Sequence, residues 1–262
     1  MFPLKDNIPT DRFPIVTVAL IVANVLVYLF FQEAISSSWL NSPDEMNVVE
    51  YGAIPYEIAH PGKECEIAGQ QLVCEGMAGV QGQADPQPPT ILTLFTSMFM
   101  HGGLLHIGGN MLFLWIFGNN VEDSMGPVKF LLFYVLGGLA ALAAQTLVGP
   151  NAAVPTIGAS GAVAAVLGGY LLLFPRARVA TVIFIVFIFT IIELPAILFL
   201  FIWFGQQILF GFLDLTQPTA GGGGGVAYFA HIGGFAFGLL AIKLFADERK
   251  HRRQLERATP RH

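Results

Sequence analysis

The chain has 262 residues, of which 54% are hydrophobic and 12% charged, with a formal net charge of -5. Soluble domains carry about 25% charged residues, so this composition argues against a water-soluble globule and for a multi-pass membrane protein. No basic patch interleaved with aromatics is present, which argues against nucleic acid as a partner.

A helix needs roughly 20 apolar residues to cross the hydrocarbon core. On that measure the sequence predicts an all-α polytopic membrane protein with six transmembrane helices. Residues 1–13 form a cytoplasmic N-terminal segment, and the membrane domain runs over 14–245. Its first span, 14–31, has no small-residue cleavage site behind it and is expected to stay as an anchor. Residues 32–90 make a long outer loop with nine acidic residues and one basic residue, Lys63. Both cysteines, Cys65 and Cys74, lie in that loop. On the outer side they can oxidise to a disulfide, which for a loop of about ten residues is worth on the order of 2.5–3 kcal/mol. The alternative is two free thiols.

The next spans are 104–121, 128–147 and 160–174, the last of them short for a full crossing. Residues 179–194 are apolar enough to resemble a further span. They are rich in β-branched residues and Phe, are interrupted by Thr190 and Glu193, and are followed by Pro195. Charge bias decides the reading. With six spans the inner side holds Lys5, Arg12, Lys129, Arg176, Arg178, Lys243 and six Lys/Arg between 249 and 261, against Lys63 outside. A seventh span would move the basic tail outside and carry His231 to the face opposite Ser160. The segment is therefore expected to be a membrane-hugging loop or a short re-entrant piece. Span 195–213 follows, then a five-glycine run at 221–225 that reads as a flexible hinge. Span 226–245 is last, and 246–262 is a basic cytoplasmic tail expected to fray near anionic headgroups. The expected setting is a bacterial plasma (inner) membrane with both termini cytoplasmic.

Spans two, four and six all begin at the outer face. His106 and Asn110 stand near the start of the second, Ser160 opens the fourth, and His231 lies near the start of the sixth. At 1.5 Å rise per residue these side chains fall within roughly 10 Å of one another in depth. Polar groups inside a membrane are costly and mark functional sites. Ser160 follows a breaker-rich approach, and the free N–H groups at a helix start favour a developing negative charge. His106 and Asn110, at i and i+4, share one helix face and both carry N–H donors for an oxyanion hole. Ser160, Ala164 and Gly168 form one small-residue stripe, and Ala230, Gly234 and Gly238 another. Such stripes let helices approach closely, which would bring His231 to the Ser160 hydroxyl and give an activated serine.

Each feature also has a plainer reading: Ser160 as a helix cap, Asn110 as interhelical glue and the glycine stripes as packing. Their conjunction at one depth favours chemistry. Other hydrolytic chemistries fit less well. No His-Glu-x-x-His motif is present for a zinc peptidase, and His101, His106 and His231 lack an acidic or Cys co-ligand, so no metal site is expected. The carboxylates near the spans, Glu193 and Asp214, do not form a facing pair. No acid is placed as a third member, so a Ser–His dyad is expected. No cofactor is implied.

The motifs His106-Ile107-Gly108-Gly109-Asn110, Gly158-Ala159-Ser160-Gly161 and Ala230-His231-Ile232-Gly233-Gly234 with Gly238 closely resemble those of the rhomboid family of intramembrane serine proteases. The resemblance covers about residues 95–245. It implies a six-helix core, Ser160 as nucleophile, His231 as general base, and an oxyanion hole from His106, Asn110 and the Ser160 N–H. It also implies membrane-anchored protein substrates cut in or near a transmembrane helix, often after a small residue, with access gated by the fifth helix and a cap loop. Two positions depart from the pattern. Leu92 and Thr93 stand where some members carry Trp-Arg, and Ala164 stands where some carry a Tyr that stacks on the histidine. His231 must then be held by other groups. A catalytically silent relative that binds transmembrane helices is the alternative; a transporter with a polar gate fits less well, because no span carries a mid-membrane charge.

Overall fold

The computed structural model describes residues 2–32, 45–69, 71–80, 82–85, 87–185, 188–216 and 226–258. The glycine run at 221–225 lies outside the described residues. In chain order the elements are β1 (Phe2–Asp6), α1 (Ile15–Leu26, continued by a π-helical turn, Val27–Phe31), α2 (Glu45–Tyr51), α3 (Pro55–Ala59), β2 (Cys65–Ala68), β3 (Gln71–Cys74) and α4 (Thr90–Thr96). They continue with α5 (Leu104–Phe113, running through a π-helical turn into α6, Asn119–Met125), α7 (Pro127–Val148) and α8 (Ser160–Leu173). The last are β4 (Arg178–Ile185), β5 (Ile188–Pro195), α9 (Ala196–Thr216), α10 (Tyr228–Phe245) and α11 (Glu248–Ala258).

The chain is mostly helical. By length and composition three described helices can cross a membrane, α7, α9 and α10, and a fourth if Thr90–Phe99 and Leu104–Met125, bent by 80°, count as one. The segments Ile15–Phe31 and Ser160–Leu173 are apolar but shorter. Between α6 and α7 the chain reverses at Gly126, whose φ of +91° favours glycine, and Pro127 opens the next helix at its first turn.

α8 reads SGAVAAVLGGYLLL, apolar on every side. A helix of that kind is buried all round, and residues 161–171 and Leu173 are indeed buried. α7 and α10 close on it through glycines. A methyl added at Gly234 would sit 2.1 Å from the Gly161 carbonyl oxygen, and one at Gly238 2.0 Å from that of Ala165. One at Gly168 would sit 2.2 Å from the Phe235 carbonyl oxygen. On α8 the seam therefore passes through Gly161, Ala165 and Gly168, with Ala164 beside it, rather than through Ser160, Ala164 and Gly168. The reason is the helical period of 3.6, from which a strict step of four drifts. α7 joins through Gly137, whose added methyl would meet Ala165 at 2.4 Å.

At the end of the bundle where α8 finishes, the structure corrects three expectations. Residues 179–194 are not a loop but paired strands. β4 and β5 form an antiparallel hairpin, with Arg178 opposite Pro195 and Ile185 opposite Ile188, and β1 adds to β4, with Phe2 opposite Val182. The three-stranded sheet has order β1-β4-β5, so the fold is not all-α. The β-branched and aromatic content that made this segment awkward as a span is what suits a pleated strand. The tail is not frayed over its described part. α11 docks on α6: Gln254 Nε2 donates to the Asn120 carbonyl and to Asp123, each at 3.2 Å, and His251 Nε2 donates to the Leu173 carbonyl at 2.8 Å. Glu122 caps α1 from a distance, accepting from the Val16 and Thr17 N–H groups at 3.0 and 2.7 Å. Such caps satisfy amides that a helix start leaves free.

At the end of the bundle where α8 starts, α2, α3, β2 and β3 form a small unit. Cys65 and Cys74 face each other across the hairpin and are joined by a disulfide, buried with Ile54 and Tyr56. The unit braces the approach to Ser160. Thr156 N–H donates to the Ala53 carbonyl at 2.7 Å, and Tyr56 N–H to that of Ala152 at 3.1 Å. Thr96 Oγ1 donates to the Tyr51 carbonyl at 2.7 Å.

Glu57 of this unit is buried, and its Oε1 accepts from the Cys65 N–H at 2.9 Å. Burial pushes its pKa up to about 7; nearby Glu64 adds to this and the Cys65 hydrogen bond opposes it. An unfolded Glu titrates near pH 4.3, so the folded state keeps a proton that the unfolded chain releases. Its contribution is fully present below about pH 4.3 and is lost as pH rises through about 7. Glu57→Gln is therefore expected to flatten the fall of melting temperature between pH 5 and pH 8, measured by thermal denaturation in detergent.

Candidate active site

Ser160 is the first residue of α8, so its N–H has no acceptor within the helix. The turn before it is fixed from several sides. Gly158 has φ of +118°, a conformation that favours glycine, and a methyl there would lie 2.7 Å from His106 Nε2. Its N–H donates to the Ser97 carbonyl at 2.9 Å. The Ala159 N–H points at His101 Nε2 across 3.5 Å. The peptide of His101 is in turn gripped both ways by the buried Gln32 amide, at 2.8 and 3.0 Å.

His231, on α10, brings Nε2 to 2.8 Å from Ser160 Oγ. Its Nδ1 is 2.8 Å from Gln207 Oε1 on α9. An amide carbonyl only accepts, so Nδ1 carries the proton and Nε2 is the acceptor for the serine hydroxyl. Gln207 is itself oriented, its Nε2 donating to the Trp203 carbonyl at 3.3 Å. The Trp203 ring stands 6.0 Å from the His231 ring, tilted by 35°. The start of α10 is held by Gln145 of α7, whose Oε1 accepts from the Ala230 N–H at 3.1 Å.

His106 and Asn110 of α5 flank Gly158. The Gly102 N–H donates to His106 Nδ1 at 3.2 Å, which leaves the proton on Nε2, the nitrogen turned to Gly158. Asn110 Nδ2 is buried without a hydrogen-bond partner. It lies 3.6 Å from the place a Gly158 methyl would take. His106 Nε2 and Asn110 Nδ2 therefore both flank Gly158, two residues before the Ser160 N–H. A buried donor without a partner, as at Asn110, is rare and fits a place that receives water or another group.

Thus Ser160, His231, His106, Asn110 and Gly158 come together, while Gly161, Gly234 and Gly238 set the helix spacing. Cys65 and Cys74 stand apart, in the outer unit. No group of three or more His, Cys, Asp or Glu that could hold a metal occurs among the described residues. The sequence reading missed Gln207, Gln145 and the Gln32 clamp. The signal was there: an amide in an apolar helix, as Gln207 is in α9 and Gln145 in α7, needs a partner.

A family model described as the Rhomboid domain matches residues 88–248. The chain belongs to the rhomboid family. Among its relatives, RHOMBOID-like protein 12, mitochondrial, of Arabidopsis thaliana is 32% identical over 165 residues, covering 57% of this chain and 45% of the relative. Rhomboid protein 1, mitochondrial, of Saccharomyces cerevisiae is 33% identical over 102 residues, 36% of this chain and 28% of the relative. Rhomboid protease GluP of Bacillus subtilis is 37% identical over 78 residues, 30% of this chain and 15% of the relative. The matched stretch spans less than half the length of each of these rhomboid proteins. The motif residues at 106–110, 158–161 and 230–238 all lie within the matched rhomboid domain.

Proposed function

We propose that the chain is an intramembrane serine endopeptidase that hydrolyses peptide bonds in or near transmembrane segments of membrane-anchored proteins. The observation that carries the reading is the 2.8 Å contact between Ser160 Oγ and His231 Nε2. In the proposed reaction His231 Nε2 takes the Ser160 proton as Oγ attacks the peptide carbonyl. The oxyanion is received by the Ser160 N–H, His106 Nε2–H and Asn110 Nδ2, donors set in place before charge develops. The imidazolium then gives its proton to the leaving amine, and water drawn to the same nitrogen releases the acyl group.

Three further features support this reading. α8 has 14 residues, about 21 Å of rise, against a hydrocarbon core about 30 Å thick, so a serine at its outer end would lie below the surface. Six helical stretches traverse the bundle in this proposal, with the two short ones reaching only part of the way. Beside Ser160 is a cavity of about 30 Å³, walled by Met98, Gly138, Ala141, Gly158 and Gly161. It suits a small side chain on the acyl side of the scissile bond. We read the termini as cytoplasmic and the membrane as a bacterial plasma membrane. That setting rests on the positive-inside bias, since matched relatives are named as mitochondrial as well as bacterial.

The test is incubation of the purified protein, in detergent and in lipid, with a transmembrane substrate carrying Ala, Ser or Gly at its outer end. Product mass should place the cut after a small residue. No cleavage of any such substrate in either medium would overturn the reading. Asn110→Ala is expected to lower kcat by about 10²–10³-fold with little change in KM, because one oxyanion donor acts in the transition state alone. Steady-state kinetics on a fluorogenic substrate checks this.

A further inference from the structure

We propose that Gln207 is the positioning residue for His231, fixing the tautomer that leaves Nε2 free to take the serine proton. This rests on the protease reading above and adds to it a third residue, on a third helix.

Little else holds the His231 ring. Ala164 offers it no stacking partner, and Trp203 is tilted and 6.0 Å away. From α8 the ring meets Ser160, and from α9 Gln207 and Trp203. His106 of α5 is the titratable group whose charge reaches it. Among the described residues no carboxylate hydrogen-bonds to either ring nitrogen. A histidine's tautomer is set by the bond its second nitrogen makes. Here that bond is the one to Gln207 Oε1 at 2.8 Å. The amide cannot turn over freely, since its NH₂ group is engaged by the Trp203 carbonyl.

The placement has a consequence for α9. Its buried residues are Ala196, Phe199 and Leu200 at the inner end, and Gly211 further out. Phe199 is wedged beside Phe117 and Phe113, with ring centroids 6.1 and 6.2 Å apart. The outer part rests on α10 by edge contacts, chiefly Phe204 stacked on Phe235 at 4.3 Å and Phe210 near Tyr228 at 5.8 Å. Gln207 lies in that outer part. Any movement of it away from α10 withdraws the acceptor from Nδ1, so His231 keeps this partner only while the outer part of α9 rests on α10.

The test uses the full chain in detergent micelles with ¹⁵N-labelled imidazoles, the His231 signals being assigned by their loss in His231→Ala. Wild type should show Nδ1–H, and Gln207→Leu a mixture of tautomers. In parallel, Gln207→Leu should lower kcat about 10- to 100-fold at nearly constant KM. Gln207→Glu should restore most of it and move the acidic limb of the pH–rate profile upward, because a carboxylate favours the charged ring. A merely structural role would not move that limb. A wild-type Nε2–H tautomer, or a Gln207→Leu variant with unchanged tautomer or unchanged kcat, would overturn the proposal. A wild type inert toward substrate, whose tautomer still depends on Gln207, would remove the protease reading and leave the positioning contact standing.

Discussion

Ser160→Ala is expected to abolish covalent labelling by a fluorophosphonate or an isocoumarin, and to lower cleavage by about 10³–10⁶-fold. The hydroxyl lies 2.8 Å from His231 Nε2, and alanine keeps the backbone N–H and the helix start. His231→Ala is expected to do nearly the same, because an unassisted serine hydroxyl is a weak nucleophile at neutral pH. The double variant should be little worse than either single one, since groups acting as a unit do not add. Each variant should keep the wild-type melting temperature within a few degrees, which separates lost chemistry from lost folding. Equal labelling of wild type and Ser160→Ala would sink the assignment.

Gly234→Ala should impair both stability and activity although it touches no reacting atom. Its new methyl would lie 2.1 Å from the Gly161 carbonyl oxygen. Ordinary carbon–oxygen contact is near 3.5 Å, so α8 and α10 must part by about 1 Å or more. Overpacking of this kind costs about 1–3 kcal/mol. Ser160 and His231 sit on these two helices, close to this contact, so the same parting opens their hydrogen bond. A misplacement of about 1 Å can cost about 10²-fold in rate. Thermal melts and kcat on one substrate measure both effects. Gly108→Ala is the matched control: an added methyl there meets nothing within 4 Å, and alanine suits a helix interior better than glycine, so the melting temperature should not fall. A Gly234→Ala protein with native stability and full activity would show that the seam does not set the site.

Much of this was legible in the chain. Intramembrane polar residues are rare enough that Ser160, His106, Asn110 and His231 stand out, and their helical spacing fixes their depth before any packing is known. The helices occupy the apolar stretches because hydrocarbon leaves the backbone no other way to satisfy its own polar groups. The glycine stripes named the two helices that touch, though not the residues on the seam.

Residues 179–194 show where local pattern runs out. A short apolar run has no period that separates a strand from a buried helix, and the partner that decides it, β1, lies more than 170 residues away in the chain. The tail shows the same limit, since Gln254 gains its order from Asn120 and Asp123 of α6. So does the loop of residues 32–90, whose acidic composition gave no hint that its backbone would brace the segment leading to Gly158.

Sequence by itself determined which polar side chains meet at one end of the bundle, Ser160, His231, His106 and Asn110, because that follows from polarity, order and a fixed rise per residue. Tertiary structure alone decided what holds them: Gln207 on His231, Gln32 on the His101 peptide and Gln145 on the start of α10. Those contacts depend on helix rotation and crossing, which are set by where two glycine-lined surfaces close, and no local pattern encodes a distance between segments far apart in the chain.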